Sequence, residues 1–278
     1  MSNTAIQPEI FEKLGKIALV GGGKMGEAIL AGLVHGALLD ADAIEVGEPS
    51  EERSAYLSQT YGVNCVADAA EIVGAATALI AVKPQVFRQV AEHLAAAEGF
   101  SPKRVISIAA GITTETIAEL FPEAQVIRVM PNAPLMALAG MSVVAVGKDT
   151  ENSEGELAVE LFSLLGEALL IPEDKINAAT AVSGSGPAYF ALLVEELTRA
   201  GVQMGLSEEQ SGQMALQTMI GTGRQLQLTE ESPSQLREAV TSPGGTTQAA
   251  LESFASQGFG AIVEQAVRAA CKRAEELA

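Results

Sequence analysis

A glycine-rich turn near the start of the chain constrains the fold more than any other feature. Residues 21–26 read GGGKMG. They follow an apolar segment typical of a buried strand and precede a helical pattern over residues 24–36. In this setting Gly21 permits a tight turn, Gly23 lets the backbone approach a pyrophosphate, and Gly26 lets the helix pack on the strand. The turn therefore predicts a dinucleotide site, and the alternative is a glycine turn without a ligand.

The segments that follow alternate between short apolar runs and helical patterns as far as Pro172. Such alternation predicts an α/β fold with a doubly wound parallel sheet of Rossmann type. The predicted strands are residues 16–20, 43–46, 64–66, 77–82, 105–108, 125–129, 142–146 and 168–171. We expect Ser50 to be the N-cap of a helix over residues 51–61, and Pro84 to be the first residue of another helix.

The pattern changes after Pro172, where no further strand is convincing. Residues 1–172 are therefore predicted to form a dinucleotide-binding domain, and residues 173–278 an all-helical dimerisation and substrate-binding domain. The predicted helices are residues 175–181, 188–204, 207–226, 233–240, 246–256 and 260–277. This second half is too thin and too apolar to be stable alone, so we expect a homodimer.

Composition excludes several classes of function. The formal net charge is −18 and no basic patch is visible, which argues against nucleic acid and against an anionic membrane as partners. No apolar run approaches the roughly 20 residues of a membrane span, and residues 1–15 lack the apolar core of a secretion signal. Cys65 and Cys271 are isolated and lack metal-ligand spacing. We expect a cytoplasmic protein without a metal site.

The second predicted strand ends at Glu48, 22 residues after Gly26, where an acidic side chain can bond the adenosine ribose. A carboxylate there disfavours a 2′-phosphate and favours NADH. Arg53 follows closely and offers a cation for NADPH, although a solvated helix face is the more ordinary interpretation of this residue. The cofactor is therefore NADPH or NADH.

Two other predicted strands end in a proline turn with one polar side chain. Lys83 before Pro84 can bond the nicotinamide ribose, and Asn132 after Pro131 can orient the nicotinamide. Ordinary loop polarity is the alternative for each. The predicted cofactor-binding residues are Gly21, Gly23, Lys24, Met25, Gly26, Glu48, Lys83, Pro84 and Asn132.

A second anion-binding turn lies far along the chain. Residues 242–247 read SPGGTT and open into an apolar-periodic helix. Free N–H groups and the helix dipole favour a bound anion at such a position. The turn is predicted to hold a small carboxylate substrate through Ser242, Gly244, Gly245, Thr246 and Thr247.

Five motifs together resemble the pyrroline-5-carboxylate reductase family over residues 16–277. The motifs are GGGKMG at 21–26, AVKPQ at 81–85, RVMPN at 128–132, SGSGPAY at 183–189, and the run from Leu236 to Thr247 that ends in VTSPGGTT. The last two are the specific ones. The resemblance implies a dinucleotide-binding domain, a helical dimerisation domain and a ring of dimers. Glu48 departs from the family, many members of which have Ser, Thr or Asn there.

The resemblance further implies hydride transfer from a nicotinamide to the C=N bond of 1-pyrroline-5-carboxylate, which gives L-proline. The ring nitrogen protonates readily in water, so no protein acid is required. His35 and His93 are expected on helices away from every motif, and neither is expected to be a general base. Thr180 matches a family position close to the ring nitrogen and is the predicted catalytic residue. Its hydroxyl can bond that nitrogen or relay a proton through water, unless it only bonds its own backbone.

Two other functions remain open. Another imine reductase or a β-hydroxyacid dehydrogenase of the same architecture should carry a Lys or Asp on the long interdomain helix, but residues 187–204 contain no Lys. A non-catalytic nucleotide-sensing scaffold can keep the glycine turn and lose the substrate turn. The presence of both turns argues against a scaffold.

Overall fold

The computed structural model describes residues 8–35 and 39–277. They form two compact units. The first contains the described residues up to Gly184 together with those from Ala270 onward, and the second contains Ser185–Ala269. All strands of the described residues belong to the first unit.

The first unit is built on one eight-stranded sheet with the order β3-β2-β1-β4-β5-β6-β7-β8. The strands are β1 Ile17–Val20, β2 Ile44–Gly47, β3 Asn64–Val66, β4 Thr77–Ile80, β5 Arg104–Ser107, β6 Gln125–Met130, β7 Gly140–Val146 and β8 Gly166–Leu170. The strand order reverses direction between β1 and β4, as expected for a doubly wound sheet.

One strand departs from the predicted parallel sheet. All neighbouring pairs are parallel except β6 and β7, where Ile127 pairs with Val146 in an antiparallel ladder. The connection between these strands, residues 131–139, is shorter than the dozen or so residues that a parallel crossover needs. The prediction of a doubly wound parallel sheet is confirmed for every pair except β6 and β7, where the antiparallel direction was not expected.

Helices cover both faces of the sheet. They are α1 Pro8–Leu14, α2 Lys24–His35, α3 Glu51–Tyr61, α4 Pro84–Ala96, α5 Thr114–Leu120, α6 Asn152–Ser163 and the short α7 Ile176–Ala179. Leu19 and Val20 are adjacent on β1 but belong to two different buried clusters, one on each face. Both predicted helix starts are confirmed: the Ser50 hydroxyl accepts from the Arg53 N–H, and Pro84 is the first residue of α4.

A buried cation ties α1 to the amino end of the sheet. The Arg104 guanidinium donates from Nη1 to the carbonyls of Lys13 (2.9 Å) and Leu14 (3.2 Å) and to Thr77 Oγ1 (3.0 Å). Its Nε lies 2.6 Å from Glu154 Oε2 on α6. The side chains of Arg104 and Glu154 are 2% and 8% exposed, so the pair is shielded from water.

The second unit is helical. It contains α8 Gly186–Gln203, α9 Glu208–Thr229, α10 Pro233–Ala239 and α11 Thr246–Ser256, and α12 Phe259–Leu277 begins in it. The helices α8 and α9 approach closely at Gly201, where a Cβ atom would lie 2.1 Å from Ser211 Oγ. Large apolar side chains remain exposed on both helices, among them Phe190, Leu192, Leu197, Met214 and Leu216. Within the described residues no helix is long and apolar enough to span a membrane.

Candidate functional site

A cleft of about 590 Å³ opens at the carboxyl edge of the sheet, beside the point where the strand order reverses. Ligands bind at this edge in doubly wound sheets. Three predicted cofactor residues line the cleft from three different strand ends: Gly21 after β1, Glu48 after β2 and Lys83 after β4. Gly23 lines it too.

The glycine turn has the geometry that a pyrophosphate requires. Gly21 has a φ of +99°, which favours glycine. A Cβ atom on Gly26 would lie 2.2 Å from the Gly21 carbonyl oxygen, so only glycine lets α2 pack here. A Cβ atom on Gly23 would meet only open space. The turn leads into the N-terminus of α2, whose first N–H groups have no partner within the helix, so the residues present fit a dinucleotide.

The carboxylate of Glu48 holds the glycine turn in place. Its Oε2 accepts from the Gly22 N–H and its Oε1 from the Ser50 N–H, each at 2.9 Å. A carboxylate offers about four lone pairs, so capacity remains for the hydroxyls of a ribose. Glu48 is half-buried and lines the cleft. The structure thus places Glu48 at the cleft after β2, and its contact with a ribose stays a prediction.

Arg53 is held on the other side of the same turn. Its Nε donates to the Gly22 carbonyl at 2.6 Å, its Nη2 pairs with Glu27 Oε2, and its guanidinium lies 5.0 Å from the centre of the Tyr56 ring. The side chain is 28% exposed. The interpretation of Arg53 as a solvated helix residue is therefore wrong. Both polar groups of Gly22 are bonded to side chains, one to Glu48 and the other to Arg53.

Glu27, on the first turn of α2, accepts hydrogen bonds from three side chains in this network. Its Oε1 accepts from Tyr56 Oη at 3.0 Å and from Tyr61 Oη at 2.9 Å, in addition to the contact of Oε2 with Arg53. Partial burial raises the pKa of Glu27, but the hydrogen bonds from Arg53 and the tyrosines outweigh it and hold the pKa below its ordinary value. Burial and the neighbouring Glu27 raise the pKa of Tyr61 to about 12. Glu27 is therefore a carboxylate at pH 7, and the Tyr61 hydroxyl that donates to it is neutral.

The other predicted cofactor residues differ in their exposure to solvent. Lys83 is the exposed N-cap of α4, next to Pro84. Lys24 is exposed at the start of α2, whereas Met25 is half-buried and packs against the hydrophobic core.

One histidine lies at the cleft, contrary to expectation. His93 lines it with Val86 and Val90 of the same helix, and its Nε2 lies 2.8 Å from Asp68 Oδ2. The hydrogen bond from the Ala70 N–H, and to a lesser extent the hydrogen bond with His93, hold the pKa of Asp68 below its usual value. The prediction that His93 lies away from every motif is wrong. The spacing of 86, 90 and 93 along a helix that starts at the carboxyl edge could have revealed it. The side chain of His35 lies outside the described residues.

Asn132 is buried and uses its amide within the protein. Its Nδ2 donates to the Ser183 carbonyl at 3.0 Å, and its Oδ1 accepts from the Met141 N–H at 2.8 Å. These bonds join the end of β6 to the start of β7 and to the segment before α8. Contact between Asn132 and a nicotinamide stays a prediction.

Thr180 begins a single π-helical turn, Thr180–Gly184. Its hydroxyl donates to the Ile176 carbonyl at 2.8 Å. Such turns are rare and occur frequently at functional sites. Because a hydroxyl has one donor and two acceptor lone pairs, Thr180 is left as an acceptor.

In the second unit, the turn over residues 242–247 is partly closed by its own bonds. Gly244 has a φ of +70° and its N–H donates to Gln248 Oε1 at 2.7 Å, while the Gly245 N–H donates to the Ser242 carbonyl at 3.0 Å. The helix α11 begins at Thr246, as predicted. The Gln248 oxygen thus occupies one of the places predicted for a substrate carboxylate, a contact that the sequence did not indicate.

Comparison with known proteins gives relatives along nearly the whole chain. The pyrroline-5-carboxylate reductase of Synechocystis sp. is 41% identical over 263 residues, which cover 94% of this chain and 98% of that protein. The chain belongs to the pyrroline-5-carboxylate reductase family. The enzyme of that name from Pseudomonas aeruginosa is 39% identical, with 95% of this chain and 97% of the relative covered.

Other comparisons agree with this family. Residues 173–277 match the family described as pyrroline-5-carboxylate reductase dimerisation, and residues 16–111 match the one described as NADP oxidoreductase, coenzyme F420-dependent. The structure of a pyrroline-5-carboxylate reductase from Coxiella burnetii superposes with a TM-score of 0.89 at 32% identity, with 95% of this chain and 99% of that chain covered. A Plasmodium falciparum pyrroline carboxylate reductase with NADP bound gives 0.82 at 28% identity, with 95% and 98% covered.

Proposed function

We propose that this protein reduces the C=N bond of 1-pyrroline-5-carboxylate to give L-proline, with NADH or NADPH as the reductant. The observation that carries the proposal is 41% identity to a pyrroline-5-carboxylate reductase over 94% of the chain. The cleft supports it, because its glycine turn and strand ends fit a dinucleotide. The bound nucleotide supplies a hydride to the imine carbon.

The chain's own residues bind and orient the nucleotide. The N–H groups at the start of α2 receive the pyrophosphate, while Gly21, Gly23 and Gly26 keep the backbone close to it. Lys24 and Met25 lie in that first turn. Glu48 bonds the adenosine ribose, and the segments bearing Lys83, Pro84 and Asn132 flank the nicotinamide half.

The substrate carboxylate is bound by the turn over residues 242–247. The first N–H groups of α11 have no partner within the helix and carry the positive end of its dipole. Those of Thr246 and Thr247 therefore receive the carboxylate, with the Ser242 and Thr247 hydroxyls beside them. Gly244 and Gly245 form the turn, and a substrate oxygen replaces the Gln248 oxygen at the Gly244 N–H.

Thr180 acts on the ring nitrogen. Because its hydroxyl hydrogen is directed to the Ile176 carbonyl, its oxygen accepts a hydrogen bond from the protonated imine. This contact orients the C=N bond and favours the protonated form, which accepts electrons more readily. Catalysis then rests on orientation and electrostatics and requires no protein acid.

The exposed apolar side chains of α8 and α9 support a homodimer through the second unit. A ring of such dimers, a cytoplasmic location and a domain boundary between residues 172 and 173 remain predictions from the sequence. Sedimentation of the purified protein tests the assembly. A stable, active monomer at low concentration contradicts the dimer.

The activity is tested by following NADH and NADPH oxidation by the purified protein with 1-pyrroline-5-carboxylate, and by identifying proline as the product. A β-hydroxyacid with NAD⁺ is the matched test for the dehydrogenase alternative. Turnover of the imine alone supports the proposal. Turnover of the hydroxyacid alone, or nucleotide binding with no turnover of either, contradicts it.

A further inference from the structure

The network behind the glycine turn suggests how the protein chooses between its two cofactors, which differ by a 2′-phosphate on the adenosine ribose. Two charged side chains lie near the expected place of that phosphate. Glu48 lines the cleft, and Arg53, on the first turn of α3, is the nearest cation along the chain. A carboxylate repels the phosphate and an arginine binds it well.

Arg53 does not line the cleft, although it is close to it. The Gly22 residue separates it from Glu48: the N–H of Gly22 is bonded to Glu48 Oε2 at 2.9 Å and its carbonyl to Arg53 Nε at 2.6 Å. The far end of the guanidinium pairs with Glu27 instead of Glu48. The charge of Arg53 is therefore held on the other side of Gly22 from Glu48, away from the cleft.

Glu27 is well placed to keep the charge of Arg53 there. It is fixed by hydrogen bonds from Tyr56 and Tyr61, and its own side chain is only 17% exposed. Tyr56 also packs beneath the guanidinium of Arg53, with 5.0 Å between the guanidinium carbon and the ring centre. The cation is thus held by an ion pair, a backbone carbonyl and an aromatic face.

We propose that Glu27 is a positioning residue that makes the protein select NADH, because it holds Arg53 behind the glycine turn and leaves Glu48 alone to face the ribose. This inference rests on the proposed function for the identity of the ligand. When Glu27 loses its charge, Arg53 is free to reach the 2′-phosphate or to neutralise Glu48. Either contact improves NADPH binding without a new residue at the cleft.

The test measures the dissociation constants of NADPH and NADH for the nucleotide-free protein by fluorescence or calorimetry, without substrate. Glu27→Gln keeps the size of the side chain and an acceptor for the tyrosines. We expect it to lower the Kd ratio of NADPH to NADH by about tenfold to 100-fold, the effect of one charge-assisted contact. An unchanged ratio overturns the proposal.

Two further variants separate positioning from simple loss of a negative charge. In the double variant Glu27→Gln with Arg53→Leu, the gain for NADPH should disappear, because no cation remains to be released. If the gain persists, it comes only from the loss of the Glu27 charge, and the proposal is wrong.

The single variant Arg53→Leu should leave the Kd ratio of NADPH to NADH nearly unchanged. A selective loss of NADPH binding in this variant contradicts the proposal, even where Glu27→Gln does not fold. Failure to reduce 1-pyrroline-5-carboxylate would contradict the proposed function and leave these binding ratios interpretable.

Discussion

The side-chain amide of Asn132 donates to the backbone carbonyl of Ser183, with 3.0 Å between Nδ2 and the oxygen. Asn132 follows β6, and Ser183 lies in the π-helical turn that Thr180 begins. The backbone hydrogen bonds of a π turn join residues i and i+5 instead of i and i+4. A donor from outside the turn to one of its carbonyls helps to fix this conformation. The bond therefore links the carboxyl edge of the sheet to the proposed catalytic threonine.

Thr180→Ala should lower kcat for imine reduction by about tenfold to 100-fold, the effect of one hydrogen bond to a charged group. The substrate KM should change less if the hydroxyl acts mainly as the reaction proceeds. Steady-state kinetics with 1-pyrroline-5-carboxylate measure both constants. Thr180→Ser keeps the hydroxyl and should retain most of the activity, whereas an equal loss in both variants would exclude a role for the hydroxyl.

Glu48→Ser should raise the use of NADPH relative to NADH, because it removes the negative charge that faces the ribose. At a partly exposed site, removing such a charge changes the relative binding free energy of the two cofactors by about 1–3 kcal/mol. The ratio of kcat/KM for NADPH and NADH measures the change in preference. Glu51→Ser is the matched control, since Glu51 is exposed on the next helix and does not line the cleft. A preference that stays the same or moves toward NADH would show that Glu48 does not face the ribose.

Thr247→Ala should raise the substrate KM by about one to two decades, because it removes a charge-assisted hydrogen bond worth roughly 1.5–3 kcal/mol. The cofactor KM should hardly change. Ser256→Ala, at the other end of the same helix, is the control. Gly245→Val should be more damaging, since a Cβ atom there would lie 3.0 Å from the Ser242 carbonyl oxygen. If Thr247→Ala instead weakens the cofactor and spares the substrate, the turn belongs to the nucleotide.

Glu154→Gln should lower the free energy of unfolding by about 3 kcal/mol, because it leaves the buried charge of Arg104 without its partner. Burial raises the pKa of Glu154, but Arg104 and, to a lesser extent, Lys103 outweigh it and hold the pKa below the ordinary 4.5. The ionised pair therefore stabilises the protein above about pH 4.5, and this contribution is lost as the pH falls through the lower folded pKa. Urea unfolding at pH 7 and at pH 3 measures it.

Glu156→Gln is the control for that substitution, since Glu156 is exposed on the same helix. The difference between the two variants should be large at pH 7 and smaller at pH 3. A difference that does not depend on pH would show that the loss comes from packing and not from the ion pair.

The alternation of apolar strands and helices was enough to predict the fold class, and the local pattern was enough to place Ser50 as a cap. The direction of β7 was missed because it depends on the length of the loop before it. Glu27 and Gln248 were missed for another reason. Their contacts depend on where Arg53 and the Gly244 N–H lie in the folded structure, and the periodicity of the sequence does not predict such contacts. The position of His93 at the cleft was not predicted, although the spacing of residues 86, 90 and 93 along α4 was sufficient to predict it.

The anchoring of Gly22 by Glu48 and Arg53 has a kinetic consequence. Both polar groups of this residue are fixed before a nucleotide arrives, so the backbone entropy of the turn, about 1–2 kcal/mol per residue, is lost during folding and not during binding. Nucleotide binding then needs no ordering of the loop. In stopped-flow mixing the observed rate should rise in proportion to nucleotide concentration without reaching a plateau, as for a one-step encounter with a preformed surface.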